Sequence, residues 1–244
     1  MDGVIAGVRP RIRRWVAGHP ALYLPIRRRT NPGTVLGLET DLVIEGFPRC
    51  ANTWTEALIR TAGPDLRLAH HSHAAAHVIA ATKLGIPALV VFRDPDAAVK
   101  SLLAMYGTQV SAAEAFADYA VFYSTVLRLD PKGILLASFA QVTGAPGVVI
   151  TNLIRRFGLA LDPDAVQHNA VLQVMDAKER PLADKRRRTG KGPTDAAICA
   201  PGNAARAATD AKAQAAADIA SAQAQTPRIK AHAVYAQLHR AFAA

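Results

Sequence analysis

The chain has 244 residues, of which 50% are hydrophobic and 20% are charged, so it can bury a large core and is not globally disordered. Its 29 lysines and arginines against 19 acidic residues give a formal charge of +10, which attracts polyanions such as nucleic acid, anionic lipid or phosphorylated small molecules. Only 6% of the residues are aromatic, whereas single-stranded nucleic acid needs aromatic stacking platforms. We therefore expect no nucleic-acid partner.

The cysteine count and the N-terminal arginines bear on where the protein resides. Two cysteines are too few for a disulfide framework or a four-cysteine zinc ribbon, and free thiols fit a reducing compartment. No apolar run approaches the ~18 residues that a membrane-spanning helix needs. Four arginines interrupt the place where a secretion signal has its apolar core: Arg9, Arg11, Arg13 and Arg14. The sequence predicts a cytoplasmic protein.

The composition of residues 1–40 indicates a basic N-terminal extension. Ile12, Trp15 and Val16 lie among its arginines and either pack on the domain or touch a membrane surface. Packing is the favoured interpretation, and a peripheral membrane contact through the basic N-terminus is the alternative. Four prolines prevent any long helix in this segment: Pro10, Pro20, Pro25 and Pro32.

From Asp41 onward, short apolar runs alternate with helical patterns. This alternation predicts a three-layer α/β/α fold, in which a central parallel sheet carries helices on both faces. We expect the α/β domain at 41–203 and one or two peripheral alanine-rich helices at 204–244. The predicted strands are 42–44, 66–71, 88–92 and 134–137, and the predicted helices are 52–61, 74–84, 95–105, 112–129 and 147–157.

The turn after the first predicted strand carries groups that bind anions. In a parallel sheet, ligands lie beyond the carboxyl ends of the strands, where the first N–H groups of the next helix are open to an anion. Arg49 adds a cation to this turn, and Asn52 and Thr53 add polar side chains. The turn lacks the Gly-x4-Gly-Lys-Ser/Thr of a Walker A loop, which disfavours a magnesium-dependent triphosphatase. An ordinary helix start with a surface arginine is the alternative.

A second turn of this kind begins at Arg93, directly after the strongest predicted strand. Pro95 suits the first position of a helix, and Ser101, eight residues after Arg93, then lies near the end of its second turn. A guanidinium and a hydroxyl that converge on one phosphate form a compact anion site. The alternative is a surface ion pair of Arg93 with Asp94 or Asp96.

Together the two turns resemble the sulfotransferase family that uses 3′-phosphoadenosine 5′-phosphosulfate. The 3′-phosphate motif of that family is an arginine at a strand end with a serine eight positions later, which Arg93 and Ser101 match. A weaker similarity follows in 134–159, so that the resemblance covers roughly residues 41–160. The 5′-phosphosulfate loop of the family has the sequence Pro-Lys-Ser-Gly-Thr-Thr-Trp, and this chain has Pro48-Arg49-Cys50-Ala51-Asn52-Thr53-Trp54.

The chain departs from the family pattern in the loop itself. Arg49 replaces lysine, Cys50 replaces serine and Ala51 replaces glycine, and the carboxylates of the family's Tyr-Glu-Asp are missing. Arg49 can still neutralise the sulfate-bridging oxygen, although a planar guanidinium is not equivalent to an ammonium. A positive φ at Ala51 would strain the loop. These departures leave open a catalytically degenerate member that binds a nucleotide bisphosphate or polyanion.

Histidines cluster after the second predicted strand, where the family carries its general base. The resemblance assigns this role first to His73, then to His71 and last to His70, and an imidazole suits it because its pKa lies near neutral pH. A metal site is an alternative, because His73 and His77 are four residues apart and would share one helical face. Ordinary surface or core histidines are the remaining interpretation.

Cys50 and a basic segment near residue 190 match the family pattern less closely. Cys50 lies at a helix start beside an arginine, which lowers a thiol pKa, but an inert replacement for the family's serine is favoured over a reactive thiolate. Cytosolic members of the family place an Arg-Lys-Gly over the 3′-phosphate. The resemblance assigns this lid loosely to Arg188, Lys191 and Gly192, and a disordered basic loop is the alternative.

The resemblance implies transfer of a sulfuryl group from 3′-phosphoadenosine 5′-phosphosulfate to a hydroxyl or amine of a small-molecule, glycan or lipid acceptor, without a metal. His73 then takes the acceptor proton and Arg49 stabilises the leaving phosphate. Arg93 and Ser101 hold the 3′-phosphate, and the remaining residues of the loop at 48–54 bind the donor. A P-loop-like nucleotide kinase is the other enzymatic alternative, which the missing Walker A loop disfavours.

Overall fold

The computed structural model of the chain describes residues 10–106, 109–189 and 209–243. Two short helices, α1 (Pro10–Ala17) and α2 (Pro20–Thr30), precede the domain. The strands are β1 (Leu42–Glu45), β2 (Leu68–His70), β3 (Ala88–Phe92) and β4 (Ile134–Ser138). The other helices are α3 (Asn52–Ala62), α4 (Ala75–Leu84), α5 (Pro95–Tyr106), α6 (Ala112–Val126), α7 (Phe139–Gly144), α8 (Pro146–Phe157), α9 (His168–Thr189), α10 (Thr209–Ala220) and α11 (Ala222–Ala243).

The four strands form one parallel sheet in the order β2-β1-β3-β4. Strand β1 lies in the middle, and the chain passes from it first to β2 on one side and then to β3 on the other. The carboxyl ends of β1 and β3 therefore flank the point at which the strand order reverses. In open α/β sheets this switch point is where ligands bind, because the two following loops diverge there and leave a crevice.

Each strand packs on helices at both faces, because successive side chains point to opposite sides of the sheet. Val43 and Val90 belong to a core cluster that includes buried residues of α4, α5, α6 and α11. Their neighbours Ile44 and Leu89 belong to a second cluster with residues of α3, α8 and α9. The three-layer α/β/α arrangement with a central parallel sheet, which the sequence predicts, is therefore confirmed.

The alanine-rich C-terminal segment forms the helices α10 and α11, and one face of α11 packs into the core. Ala224, Ala231 and Leu238 of α11 are fully buried in the cluster that also contains Phe92 at the end of β3. Small alanine side chains allow α11 to approach the domain closely, so a low content of large apolar residues does not mean exposure. Arg228 Nε and His232 Nε2 each lie 2.9 Å from Asp96 Oδ1, which joins α11 to α5.

The N-terminal helices pack on the domain along one side. Tyr23 of α2 is buried beside Ala74 and Ala76, and Val16 and Leu24 pack against the same small cluster. Pro25 lies inside α2, so prolines shorten the helices here without excluding them. None of the helices in the described ranges combines the length and the apolarity that crossing a membrane requires.

Candidate functional site

The loop between β1 and α3 has a backbone that opens the N-terminus of α3. Ala51 is the residue that precedes α3, and it adopts the left-handed conformation with φ 74° and ψ 25°. Its side chain cannot cap the helix, so it leaves the first N–H groups of α3 without a capping oxygen. Arg49 is also left-handed, with φ 69°. Helix N–H groups that lack a cap favour an anion.

Close packing fixes this loop against β3. A Cβ atom at Gly46 would lie 2.4 Å from the carbonyl oxygen of Val91, so only glycine fits there. Asn52 donates from Nδ2 to the carbonyl oxygen of Phe47 over 3.0 Å, and the indole of Trp54 donates to that of Val142 over 2.8 Å. Both side chains are buried. Asn52 and Trp54 therefore support the loop, whereas Pro48, Arg49 and Thr53 remain partly exposed along it.

The predicted anion-binding residues Arg49, Arg93 and Ser101 come together at the switch point. Arg93 Nη1 donates to the carbonyl oxygen of Arg49 over 3.1 Å, and Arg49 Nε donates to Ser101 Oγ over 3.1 Å. Arg93 follows β3 and Ser101 lies on α5, so the two turns that sequence analysis singled out meet. The serine hydroxyl is in direct contact with Arg49 rather than with Arg93.

The Arg93 guanidinium is held in place without an acidic partner in the described part of the chain. It stacks over the ring of Phe139, with its central carbon 4.1 Å from the ring centroid. Burial lowers the pKa of Arg93, and the nearby charge of Arg49 also lowers it. The sequence also allowed a surface ion pair of Arg93 with Asp94 or Asp96, and this pair does not form. Asp94 instead accepts a hydrogen bond from the N–H of Ala97, and Asp96 binds Arg228 of α11. A partly desolvated cation of this kind has the chemistry to bind an anion.

A buried carboxylate, Glu45 at the end of β1, organises the loop between β2 and α4, residues 71–74, which we call the histidine loop. Its oxygens accept hydrogen bonds from the backbone N–H of Ser72 at 2.9 Å, the backbone N–H of His73 at 2.8 Å and Nδ1 of His77 at 2.9 Å. Burial raises the pKa of Glu45, but the hydrogen bond and charge of His77 with the other donors outweigh it, so the pKa lies below its ordinary value. The loop backbone thus wraps around a carboxylate ion.

His73 has the geometry of a base with one fixed tautomer. Its Nδ1 lies 2.9 Å from the carbonyl oxygen of Gly46, which can only accept, so Nδ1 carries the proton and Nε2 has the lone pair. Burial lowers the pKa of His73 more than the Glu45 charge and the Gly46 carbonyl raise it, which favours the neutral ring. Its φ of 52° and the φ of 57° at His71 are left-handed, as at Ala51. Backbone strain of this kind concentrates at functional sites.

A second set of hydrogen bonds joins His71 to a buried glutamate. Glu56 accepts from Nε2 of His70 at 3.1 Å, Nδ1 of His70 lies 2.8 Å from Nδ1 of His71, and Nε2 of His71 lies 3.0 Å from Oγ1 of Thr53. Since the pKa of Glu56 is lowered and burial lowers that of His70 to about 4, the ionised glutamate accepts and both rings are neutral. All hydrogen bonds of this series then point toward Glu56: the Thr53 hydroxyl donates to His71, His71 donates to His70, and His70 donates to Glu56.

The structure does not bring His73 and His77 together as the metal site that their spacing in the sequence allowed. His77 is fully buried and bound to Glu45, so it does not form a site with His73. Among the described residues, Glu56, His70 and His71 offer ligand atoms within 4.8 Å of one another. Lys178 and Arg60 already pair with Glu56, and both also line a cavity of about 380 Å³ beside it. Two cations on one carboxylate oppose a third, so the charge there does not favour a metal ion.

The remaining site residues that the sequence predicted are Cys50 and the basic group of Arg188, Lys191 and Gly192. Cys50 is fully buried, and burial raises the pKa of its thiol to about 12, which argues against a thiolate nucleophile and for an inert core residue. Arg188 is exposed near the C-terminal end of α9. Lys191 and Gly192 lie outside the described residues.

Three residues of the site were missed by sequence reasoning. Glu45 and Phe139 are each next to a strand end, Glu45 as the last residue of β1 and Phe139 as the first residue after β4. A charged residue that closes an apolar strand directly before Gly46 was a detectable signal for Glu45. Nothing local marks Phe139 or Glu56, because their partners Arg93 and His70 lie elsewhere in the chain.

Comparison with solved structures finds distant structural similarity. A crystal structure of mouse sulfotransferase SULT7A1 complexed with PAP aligns with a TM-score of 0.43 and 10% sequence identity, over 81% of this chain and 89% of that chain. No family model matches the chain, and no curated protein matches it. A similarity this distant carries no argument about function, which therefore rests on the site itself.

Replacing Ala51 by glycine tests the backbone of the loop between β1 and α3. Because glycine adopts a positive φ without a steric penalty, Ala51→Gly should raise the free energy of unfolding by about 1 kcal/mol. The matched control is Ala57→Gly in the middle of α3, which should lower it by about 1 kcal/mol or more. Urea unfolding of the three proteins measures this. A loss of stability in Ala51→Gly would contradict the left-handed loop.

Acid unfolding tests the buried carboxylate. The folded-state pKa of Glu45 is lowered, so its contribution to stability is complete above the unfolded-state pKa of about 4.3 and is lost as the pH falls below it. Glu45→Gln should cost about 2–4 kcal/mol at neutral pH and should flatten this acid limb. Glu39→Gln, at an exposed carboxylate, should change the free energy of unfolding by less than about 0.5 kcal/mol at neutral and at acid pH. Equal pH dependence in Glu45→Gln and the native protein would be inconsistent with an ionised Glu45.

Proposed function

We propose that the protein transfers a sulfuryl group from 3′-phosphoadenosine 5′-phosphosulfate to a hydroxyl or amine acceptor. The observation that carries the proposal is the convergence of Arg49, Arg93 and Ser101 on the open N-terminus of α3, at the switch point of the sheet. Arg49 is 44 residues from Arg93 in sequence, and the three residues belong to the two segments that resemble the donor-binding motifs of sulfotransferases.

The residues present fit a donor with two separate phosphate groups. The loop at 48–54 has left-handed backbone at Ala51, where the family motif has glycine, and offers helix N–H groups with no capping side chain. Arg93 lies behind this loop with its guanidinium stacked on Phe139. The chemistry of both positions suits dianions, so we assign the 5′-phosphosulfate to the loop and the 3′-phosphate to Arg93 and Ser101.

In the proposed reaction, His73 acts as the general base. Its Nε2 lone pair accepts the proton from the acceptor O–H or N–H while the acceptor atom forms a bond to sulfur. The bond between sulfur and the bridging oxygen breaks, and its electron pair goes to the leaving phosphate. Arg49 and the first N–H groups of α3 stabilise the negative charge that grows there. The reaction needs no metal in this scheme, since positioning and charge stabilisation act on a good leaving group.

The hydrogen-bond chain through His71 gives it a different proposed role from that of His73. His71 Nε2 is engaged by Thr53, a residue of the phosphate loop, whereas His73 donates from Nδ1 and has Nε2 available. The rings of His71 and His73 are 5.8 Å apart, so both lie beside the loop. We infer that His71 positions Thr53 and that His73 takes the proton.

Titration with 3′,5′-bisphosphoadenosine tests the donor site. Arg93→Ala should weaken binding by about 2–4 kcal/mol, because a phosphate loses its charged, geometrically fixed partner. Arg128→Ala, at an exposed arginine of the segment after α6, is the matched control and should bind as the native protein does. Unchanged affinity in Arg93→Ala would remove the proposed 3′-phosphate site. Preference of the native protein for ATP with Mg²⁺ would instead favour the nucleotide kinase.

Transfer of radiolabelled sulfate to acceptors in a cell extract tests the base. His73→Ala should abolish transfer while it leaves bisphosphate affinity within about twofold, since the ring acts on the acceptor. His71→Ala should retain measurable transfer. The opposite result would identify His71 as the base. If the native protein binds the bisphosphate but transfers no sulfate to any acceptor, the catalytically degenerate binding protein is the correct interpretation.

A further inference from the structure

The two N-terminal helices expose a row of large apolar side chains. In α1, Ile12 and Trp15 are three residues apart and 52% and 55% exposed, and in α2, Leu22 and Ile26 are four apart and 44% and 36% exposed. The ring centroids of Trp15 and of His19, the residue that precedes α2, are 4.2 Å apart, so the exposed tryptophan of α1 lies beside the start of α2. Residues with these spacings share one side of each helix.

Specific contacts hold these helices on the domain, so the exposure does not result from a loose segment. Arg13 and Arg14 both pair with Asp118 of α6, the latter at 2.6 Å. On α2, Tyr23 is buried and its hydroxyl donates to the carbonyl oxygen of Ser72 over 2.9 Å. One side of each helix is therefore used for packing, and the opposite side presents apolar groups to solvent.

The charge around this row has a single sign. Residues 10–30 contain six arginines and no aspartate or glutamate. Arg11 and Arg29 are exposed, and neither pairs with a carboxylate of any described residue. Arg29 lies three residues after Ile26 and seven after Leu22, so it continues the same side of α2.

We propose that this α1–α2 surface, formed by Arg11, Ile12, Trp15, Leu22, Ile26 and Arg29, docks on an anionic lipid bilayer. A short helix that exposes tryptophan and aliphatic side chains beside arginines suits the interface of a bilayer, where the apolar groups enter the headgroup region and the arginines bind lipid phosphates. A nucleic acid would satisfy the arginines but would leave the isoleucines and Leu22 in water. The bilayer satisfies both at once.

The α1–α2 surface is joined directly to the histidine loop. Arg27 Nη2 donates to the carbonyl oxygen of His71 over 3.0 Å, and Tyr23 donates to that of the next residue, Ser72. Helix α2 therefore contacts lipid with one side and the loop that carries His73 with the other. Docking would set that loop at a fixed distance from the bilayer.

Vesicle binding followed by tryptophan fluorescence tests the proposal without donor or acceptor, so its result is independent of the proposed sulfate transfer. Trp15 is exposed and Trp54 is buried and hydrogen-bonded, so a change in emission reports Trp15. We expect a blue shift with vesicles of phosphatidylcholine and phosphatidylglycerol, little shift with phosphatidylcholine alone, and weaker binding as NaCl is raised. Absence of binding to the anionic vesicles would overturn the proposal.

Substitutions with matched controls on α11 locate the surface. Arg29→Ala should weaken vesicle binding about fivefold, and Trp15→Ala should weaken it at least as much in a sedimentation assay. Arg240→Ala and Ile229→Ala, at an exposed arginine and an exposed isoleucine of α11, should bind as the native protein does. Equal losses in the α11 variants would mean that net charge alone drives binding. Loss of self-association in Trp15→Ala, without any vesicle binding by the native protein, would identify a second copy as the occupant. Either result overturns the proposal.

Discussion

The carboxylate of Glu45 is the constraint on which the geometry of the site depends. A buried ion costs several kcal/mol unless hydrogen bonds replace its water, and Glu45 obtains them from Ser72, His73 and His77. These donors belong to the loop after β2 and to α4, so the charge at the end of the central strand draws the neighbouring loop over it. The left-handed backbone at His71 and His73 follows, because two successive N–H groups must turn toward one carboxylate. In this way a single residue of β1 positions the proposed base.

The same principle of buried charge separates the two histidine systems. Glu45 binds backbone N–H groups and thereby shapes a loop, whereas Glu56 binds side chains and thereby sets tautomers. Glu56 also pairs with Arg60 and Lys178, so its charge is already balanced when His70 donates to it. His70 and His71 can then both remain neutral. Because the ionised Glu56 can only accept, it determines the direction of every hydrogen bond from Thr53 through His71 and His70. Thr53 thus connects the loop that we propose to bind the donor to Glu56. The same loop lies beside the histidine loop, which Glu45 organises.

The sequence predicted what local patterns determine and missed what is set by contacts across the sheet. The run Ala88–Phe92 and the helix that begins at Pro95 appear as predicted, because apolar continuity and a proline at a helix start are local signals. The positions of Arg93 and of the residues between β1 and α3 at strand ends follow from the same alternation. By contrast, the stacking of Arg93 on Phe139 depends on which strand lies beside β3, and the burial of α11 depends on small side chains fitting against Phe92. Alanine in α11 has no local pattern that distinguishes a core role from exposure, whereas the charged residue that closes β1 before Gly46 was a local signal that sequence reasoning did not use. The direct contact of Ser101 with Arg49 was likewise beyond sequence spacing.

The left-handed alanine at position 51 shows how the fold tolerates a residue that the local backbone disfavours. The conformation costs about 1–2 kcal/mol for a residue with a Cβ atom. The loop cannot relax, because Gly46 abuts Val91, and Asn52 and Trp54 are buried and hydrogen-bonded on the other side. The core therefore maintains the strained turn, at which α3 begins without a side-chain cap. The packing around the loop, rather than the loop sequence itself, thus maintains left-handed backbone at a position that alanine occupies.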